Sequence, residues 1–480
     1  MRRIAALVTL LAAASASAGL PPEDQCPTLT GIPGAGPGED AIAYRLREGQ
    51  LLHFADMLLL GQLLPTEVWR NRDAFFHEGM RMELGPCHRR YTQGEWFDAA
   101  TKQFAGQARV DDDGNLVGHV AGLPFPPDSI DPKAPDAGIK WAWNMERRYR
   151  GAGHVGSFRL VDMPSRMGGV QTYEGTWFLL QTAHRADLAA SEYTLPDIAK
   201  GSDWVAGGFF AEPTNARHLA WRQIRPLDVA LHYEQPDDTF VYVPTMRKVR
   251  RAASGWVDGL YMPRYRISGD AGGGQIPLGT GQMVPGGAAA PTAGESIAVT
   301  ENLRRGFTGL ALRPNAYVWR VQGEREVIAP INITRGGYPQ EKERNFGPSG
   351  LSVGNDRWDV RQAVILQGSL KDRGEEYDFM TIWLDYQTAQ PLYIVTRRRA
   401  ANQLLEVGIL VSRYSGDLPA YPPWPGGTKA RVFDPVAAVF YDATEGGSGW
   451  RRESFDIESV PPAEKDLHRF TSPGFLDRGH

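Results

Sequence analysis

The sequence predicts an α+β protein built on one large antiparallel sheet that curls into a barrel or half-barrel. Three observations lead there. Glycine and proline occur 54 and 35 times in 480 residues, and these residues punctuate turns. Alternating stretches are long, among them "GVQTYEGTWFLLQTA", "RWDVRQAVILQGSL", "EYDFMTIWLDYQT" and "PLYIVTRRRAANQLLEVGILVSRYSG". Ordinary strands run to roughly 5–6 residues, and longer ones suit a sheet that curls. Helical periodicity, finally, is confined to short stretches in the first third of the chain.

The elements follow in order. Residues 1–18 are laid out as a secretory signal peptide: Arg2 and Arg3, an apolar run from Ile4 to Ala14, and Ala16-Ser17-Ala18 as the cleavage site. The run is too short for a bilayer core of roughly 30 Å. Cys26 follows Glu-Asp-Gln rather than a small apolar triplet, so no lipid attachment is expected. The expectation is therefore a periplasmic protein whose membrane contact is peripheral at most. Residues 19–40 form an extended Pro/Gly-rich lead-in, and 41–95 a helical segment with Thr66 as an N-cap. A sheet domain occupies 96–460, with a low-complexity insert at 268–296. A tail, 461–480, ends the chain.

Within the sheet domain "ARVDDDGNLVGHVA" reads as a hairpin turning at Asp113-Gly114. "GIKWAWNMERRYRG" reads as a helix closed by Gly151, whose arginines complement the helix dipole. In "YDFMTIWLDY", Tyr377, Phe379 and Trp383 fall on one face and Met380, Ile382, Leu384 and Tyr386 on the other. Both faces are apolar, so both must be covered. "TFVYVPTMRKVRRA" reads as a hairpin around Pro244, with Lys248 and Arg250 on a solvated face and Arg251 turned inward, where it needs an anionic partner.

Composition excludes some functions. Without the signal peptide the balance is 50 basic against 56 acidic residues, or −6, which argues against nucleic-acid binding. Cys26 and Cys87 are the only cysteines. In an oxidising compartment they make one disulfide, two free thiols being the alternative. No motif supports an enzyme. Gly350-Leu351-Ser352-Val353-Gly354 has the form of a nucleophile elbow but lacks the strand before and helix after it. "GAGHVG" at 151–156 precedes a strand, where a dinucleotide fingerprint opens a helix. The ten histidines show no metal-ligand spacing, and no cofactor is expected.

An ordered series of motifs carries a resemblance: "LGPCHRRY", "TKQFAGQARVDDDGNLVGHVAGLPFP", "WNMERRYRG", "FVYVPTMRKVRRA", "RGFTGLALRPNAYVWRVQGEREVIAPIN" and "GPSGLSVGNDRWDVRQAVILQGSLKD". From about Leu84 to about Gly416 the chain resembles the exported proteobacterial family called domain of unknown function 1329, which is outer-membrane lipoprotein-sorting-like. The resemblance implies a fold like that of LolA and LolB, an incomplete barrel closed by helices over an apolar cavity that takes acyl chains. It also implies work beside an exporter of the resistance–nodulation–division type or an outer-membrane protein. On this reading the protein is a carrier or accessory protein that holds an acyl chain or other hydrophobic molecule. The alternative is a structural or interaction module of an envelope complex. Candidate cavity-wall residues are Trp177, Phe178, Tyr242, Trp319, Trp358, Phe379 and Trp383. Arg147, Arg250 and Arg251 are candidates to meet a headgroup or a partner. No catalytic residue is expected.

Overall fold

The structure, a computed structural model, describes residues 20–30, 43–163, 170–188, 201–244, 247–254, 259–262, 276–277, 283–284, 309–338, 346–372, 377–424, 427–444 and 449–477. The expected signal peptide and most of the 268–296 insert lie outside them.

Strand β1 (Met82–Cys87) is followed by six long strands in sequence: β2 (Gly153–Met163), β3 (Gln171–Gln181), β4 (Ser202–Glu212), β5 (Ala220–Pro226), β6 (Asp237–Val243) and β7 (Lys248–Ser254). Seven more complete the sheet: β8 (Tyr317–Ala329), β9 (Arg357–Leu370), β10 (Phe379–Asp385), β11 (Pro391–Arg397), β12 (Leu404–Tyr414), β13 (Phe433–Asp442) and β14 (Trp450–Glu458). Their spatial order is β7-β6-β5-β4-β3-β2-β14-β13-β12-β11-β10-β9-β8, antiparallel throughout. The first meander thus runs outward from β2 to β7 at one end, and the second runs inward from β8 at the other until its last strand, β14, pairs with β2, Phe455 opposite Phe158. Strand β1 joins the start of β9 in parallel, and Leu51–Leu52 pairs with β1, giving 15 strands. The sheet does not close into a barrel: β7 and β8 stand at its ends.

Both sides of this sheet are covered, as two-faced strands require. One register row runs Leu160, Glu453, Ala438, Leu410 across β2, β14, β13 and β12. It defines a first side, on which two apolar clusters sit. Over β8–β13 the cluster gathers Ile382, Leu384, Ile394, Leu410 and Phe440 beneath helix Ala137–Glu146. Over β2–β6 it gathers Phe158, Trp177, Trp204, Phe210 and Trp221, with Leu260–Met262 and Leu310 laid on top. On the second side, the segment from Leu52 to Tyr91 packs Leu60, Leu64, Phe75, Phe76 and Met80 against Trp383, Tyr393, Val407, Ile409 and Val439.

Among the described residues three helices are longer than one turn or two: α1 (Glu95–Gln103), α2 (Ala137–Glu146) and α3 (Glu464–Thr471). The expected helical segment 41–95 holds three short helices of four or five residues, Met57–Leu60, Thr66–Arg70 and Arg72–Phe75, before β1. Helix α3 lays Leu467 and Phe470 on Phe178, Leu180 and Val205 of the second side. The Arg222 guanidinium donates to the carbonyl of Arg469 at 2.8 Å, satisfying an acceptor that the helix end leaves open. Cys26 and Cys87 are bonded to each other, which ties residues 20–30 to β1 across 61 positions.

The expected hairpins form. Arg109–Val110 pairs Leu116–Val117, with the Asp111 carboxylate accepting from the amides of Asp113 and Asn115. Strands β6 and β7 pair with Tyr242 opposite Val249; residues 245–246 of their turn lie outside the described set.

Candidate functional site: a buried arginine seam beside helix α2

Helix α2 is apolar almost all round because it is buried almost all round. Trp141, Ala142 and Met145 meet the cluster over β8–β13. Gly138 is what permits the close approach, since a Cβ there would lie 2.7 Å from the backbone of Trp319. The chain then leaves the helix as Arg147-Arg148-Tyr149-Arg150, and Gly151 turns it with a positive φ of 60° into β2. All three arginines are buried, at 6, 5 and 4% exposure. The dipole expectation for them is therefore incomplete. They are interior groups between the two apolar clusters, and each needs its own partners.

Those partners differ. Arg147 is paired with Asp203 at 2.5 Å. Arg150 reaches the Glu146 carboxylate at 3.4 Å and the Leu310 carbonyl at 2.7 Å. Glu146 in turn accepts from the Leu312 amide at 2.7 Å. Arg148 has only neutral acceptors: Gln390 Oε1 at 3.1 Å and the carbonyls of Met145 at 2.6 Å and Gly309 at 3.1 Å. No carboxylate of the described residues comes within salt-bridge distance of it. Burial first, and then the neighbouring Arg150 charge, bring its pKa down to about 9.

Further along the same side Asp237 is held by Arg313 at 2.6 Å, Arg225 at 3.1 Å and Gln223 at 2.6 Å. Beside the seam, His154 Nδ1 lies 2.8 Å from Ser459 Oγ, which donates to Asp434 at 2.5 Å; the Tyr421 hydroxyl donates to the same carboxylate at 2.7 Å. Burial raises the Asp434 pKa to about 7. The residue types match a hydrolase triad, but the serine sits between acid and base and is fully buried. It cannot meet a substrate as a nucleophile. Ser352, in the Gly350–Gly354 segment, is buried too and its Oγ accepts from the Gly354 amide at 3.3 Å.

Two small cavities flank the arginines, each of about 30 Å³. The first lies between the apolar clusters, where Leu310, Leu410, Phe433, Ala438 and Phe455 meet Arg148, Arg150 and His154. The second lies behind the helix end, where Arg147, Arg148 and Arg150 face His119, His184 and Arg185.

The predicted wall residues divide among separate clusters. Trp177 packs on Phe455 in the β2–β6 cluster. Trp319 belongs to the α2 cluster, its indole donating to the Pro314 carbonyl at 2.8 Å. Trp358 and Trp383 belong to the N-terminal cluster on the second side. Phe178 lies under α3, with Arg222 stacked on its ring at 4.8 Å. Tyr242 and Phe379 are half-buried. Arg250 is exposed on β7, opposite Val241. Arg251 does have the anionic partner expected, Asp238, but the pair is solvent-exposed rather than turned inward, because β7 is an end strand. Of the predicted cations only Arg147 belongs to the seam. Arg148 and Arg150 were legible as part of the same "ERRYRG" run on an apolar helix.

With this geometry in view, the chain can be set beside known proteins. Residues 73–264 match the family model described as protein of unknown function, DUF1329. The DUF1329 match takes in α1, α2, the arginine seam and strands β1 to β7. Among solved structures, a putative outer membrane lipoprotein-sorting protein domain from Vibrio parahaemolyticus is 11% identical, with a TM-score of 0.38 over 72% of this chain and 100% of its own. A DUF1329 family protein from Desulfovibrio piger is 13% identical, with a TM-score of 0.38 over 70% of this chain and 97% of its own. A LolA superfamily protein from Nitrosomonas europaea is 11% identical, with a TM-score of 0.32 over 67% and 93%. No curated protein matches the chain.

Proposed function

We propose that this DUF1329 protein is a non-enzymatic binding protein of the periplasm. It holds an acyl chain or another hydrophobic molecule on the α2 side of the sheet and serves envelope lipid transport alongside an inner-membrane exporter. One observation supports the reading above the others: the cavity at the junction of two apolar clusters, lined among others by Ala438 and Leu310. At about 30 Å³ it is far below the roughly 300 Å³ of a ligand pocket. A ligand therefore enters by displacing Gly309 and Leu310, which line the cavity. Its binding energy comes from apolar area removed from water, at about 25 cal/mol per Å². The test is native mass spectrometry and lipid extraction of the protein purified from the periplasm, with fatty-acid and phospholipid probes added to the emptied form. Uptake that an Ala438→Trp variant abolishes, with its fold intact, is the expected result. A folded protein that carries and takes up no lipid overturns the reading.

A second reading has an observation of its own. The buried wall residues are packed into several filled clusters, as in a module of an envelope complex that binds proteins rather than lipid. Recovery of an exporter or outer-membrane protein with the chain, and of no lipid, favours it.

A further inference from the structure

The second cavity has a charge imbalance that neither reading uses. Four guanidinium groups line it, those of Arg147, Arg148, Arg150 and Arg185. Three are matched one to one by carboxylates: Arg147 by Asp203 at 2.5 Å, Arg150 by Glu146 at 3.4 Å and Arg185 by Asp187 at 2.6 Å. Arg148 is the fourth, and its partners are all uncharged. One positive charge is left over in an interior where an uncompensated ion is costly. Two of the arginines that line it also carry unused donors. The Nε–H groups of Arg147 and Arg150 are both buried, with no protein acceptor in reach. Their side chains are more than nine-tenths buried, and such donors ordinarily find a partner. A space of about 30 Å³ admits a particle of one or two water volumes. That is too small for a phosphate headgroup with its ester and sufficient for a monatomic ion.

We propose that this cavity binds one small monovalent anion of the halide class, received by the Nε–H groups of Arg147 and Arg150 and neutralising the charge of Arg148. The site is structural: it completes the charge balance where α2 hands over to β2, and it is separate from the apolar cavity on the other side of Arg148. Water is the competing occupant, because it can also donate to His119 Nδ1, which has no protein partner either.

The experiment uses the full chain. Crystals soaked in sodium bromide are examined at the bromine edge, and the unfolding temperature is compared in chloride and in gluconate at equal ionic strength. An anomalous peak between Arg147 and Arg150, with an unfolding temperature about 1–3 °C higher in chloride, is expected. An Arg148→Gln variant should lose the chloride dependence. Two waters in the cavity and equal unfolding temperatures in the two salts overturn the proposal. So does a bromide peak without any chloride effect in solution, which means binding at crystal concentration only. The wild-type measurements decide the matter even where the variant does not fold.

Discussion

Replacing Arg147 and Arg148 in turn by methionine separates a paired interior charge from an unpaired one. Arg147→Met strands the Asp203 carboxylate, whose side chain is 6% exposed. Removing one partner of a buried pair costs about 3–5 kcal/mol. Asp203 keeps a 3.3 Å hydrogen bond from Gln181 and the field of Arg225, so the lower end, about 3 kcal/mol, is expected. Arg148→Met removes three hydrogen bonds of 3.1 Å or less to neutral oxygens. At a net 1.5–3 kcal/mol each for hydrogen bonds to a charged group these sum to roughly 4.5–9 kcal/mol. Against that stands relief from burying a guanidinium that no carboxylate balances, itself a matter of several kcal/mol. The two terms are of similar size and opposite sign, so the net loss should stay below that of Arg147→Met. Urea unfolding at pH 7, followed by fluorescence of the 13 tryptophans, measures both variants on one scale. Equal losses, or a larger loss for Arg148→Met, would refute the argument that Arg148 is the uncompensated charge.

Three further outcomes can be checked. Replacing Cys26 and Cys87 by serine opens a loop of 61 residues and should cost about 4 kcal/mol by the loop-entropy relation, read as a lower urea midpoint. Asp434 has a folded pKa raised to about 7 against an ordinary value near 3.9, so its contribution is fully present below about pH 4 and is lost as the pH rises toward 7; Asp434→Asn should flatten the fall in unfolding temperature across that interval, and an unchanged slope would show that the carboxyl titrates elsewhere. A Cβ at Gly368 would meet the Trp319 ring at 2.8 Å, so Gly368→Ala should cost about 1–3 kcal/mol by overpacking and alter the near-ultraviolet dichroism of that indole.

Much of the sheet was legible because strand periodicity is local. "YDFMTIWLDY" announced two covered faces, and Met380, Ile382 and Leu384 do meet the α2 cluster while Trp383 meets the N-terminal one. Tyr377 crosses to the α2 side, since it precedes the strand and its hydroxyl meets that of Tyr317 at 2.6 Å. Strand order was not legible. Register between β2 and β14 depends on residues some 300 positions apart, about which local pattern is silent. The same distance hid the seam. Nothing around Arg148 foretells that its acceptors are Gln390 and Gly309, 242 and 161 positions away. The aromatic residues expected to form a wall are apolar, but apolar character does not say which neighbours a ring meets. Arg251 failed as an inward group because an end strand leaves its side chains in water on a face that would be interior elsewhere in the sheet.

The meeting of the two meanders at β2 and β14 has a consequence in time. The central ladder of the molecule cannot zip until its final rung has emerged, so a nascent or C-terminally clipped chain holds β2 with one row of amides and carbonyls unmet. Contacts of such separation make for slow acquisition of the native state, and an open β2 border is a template for wrong partners. Strand β14 therefore governs not the ends of this architecture but whether its middle exists at all.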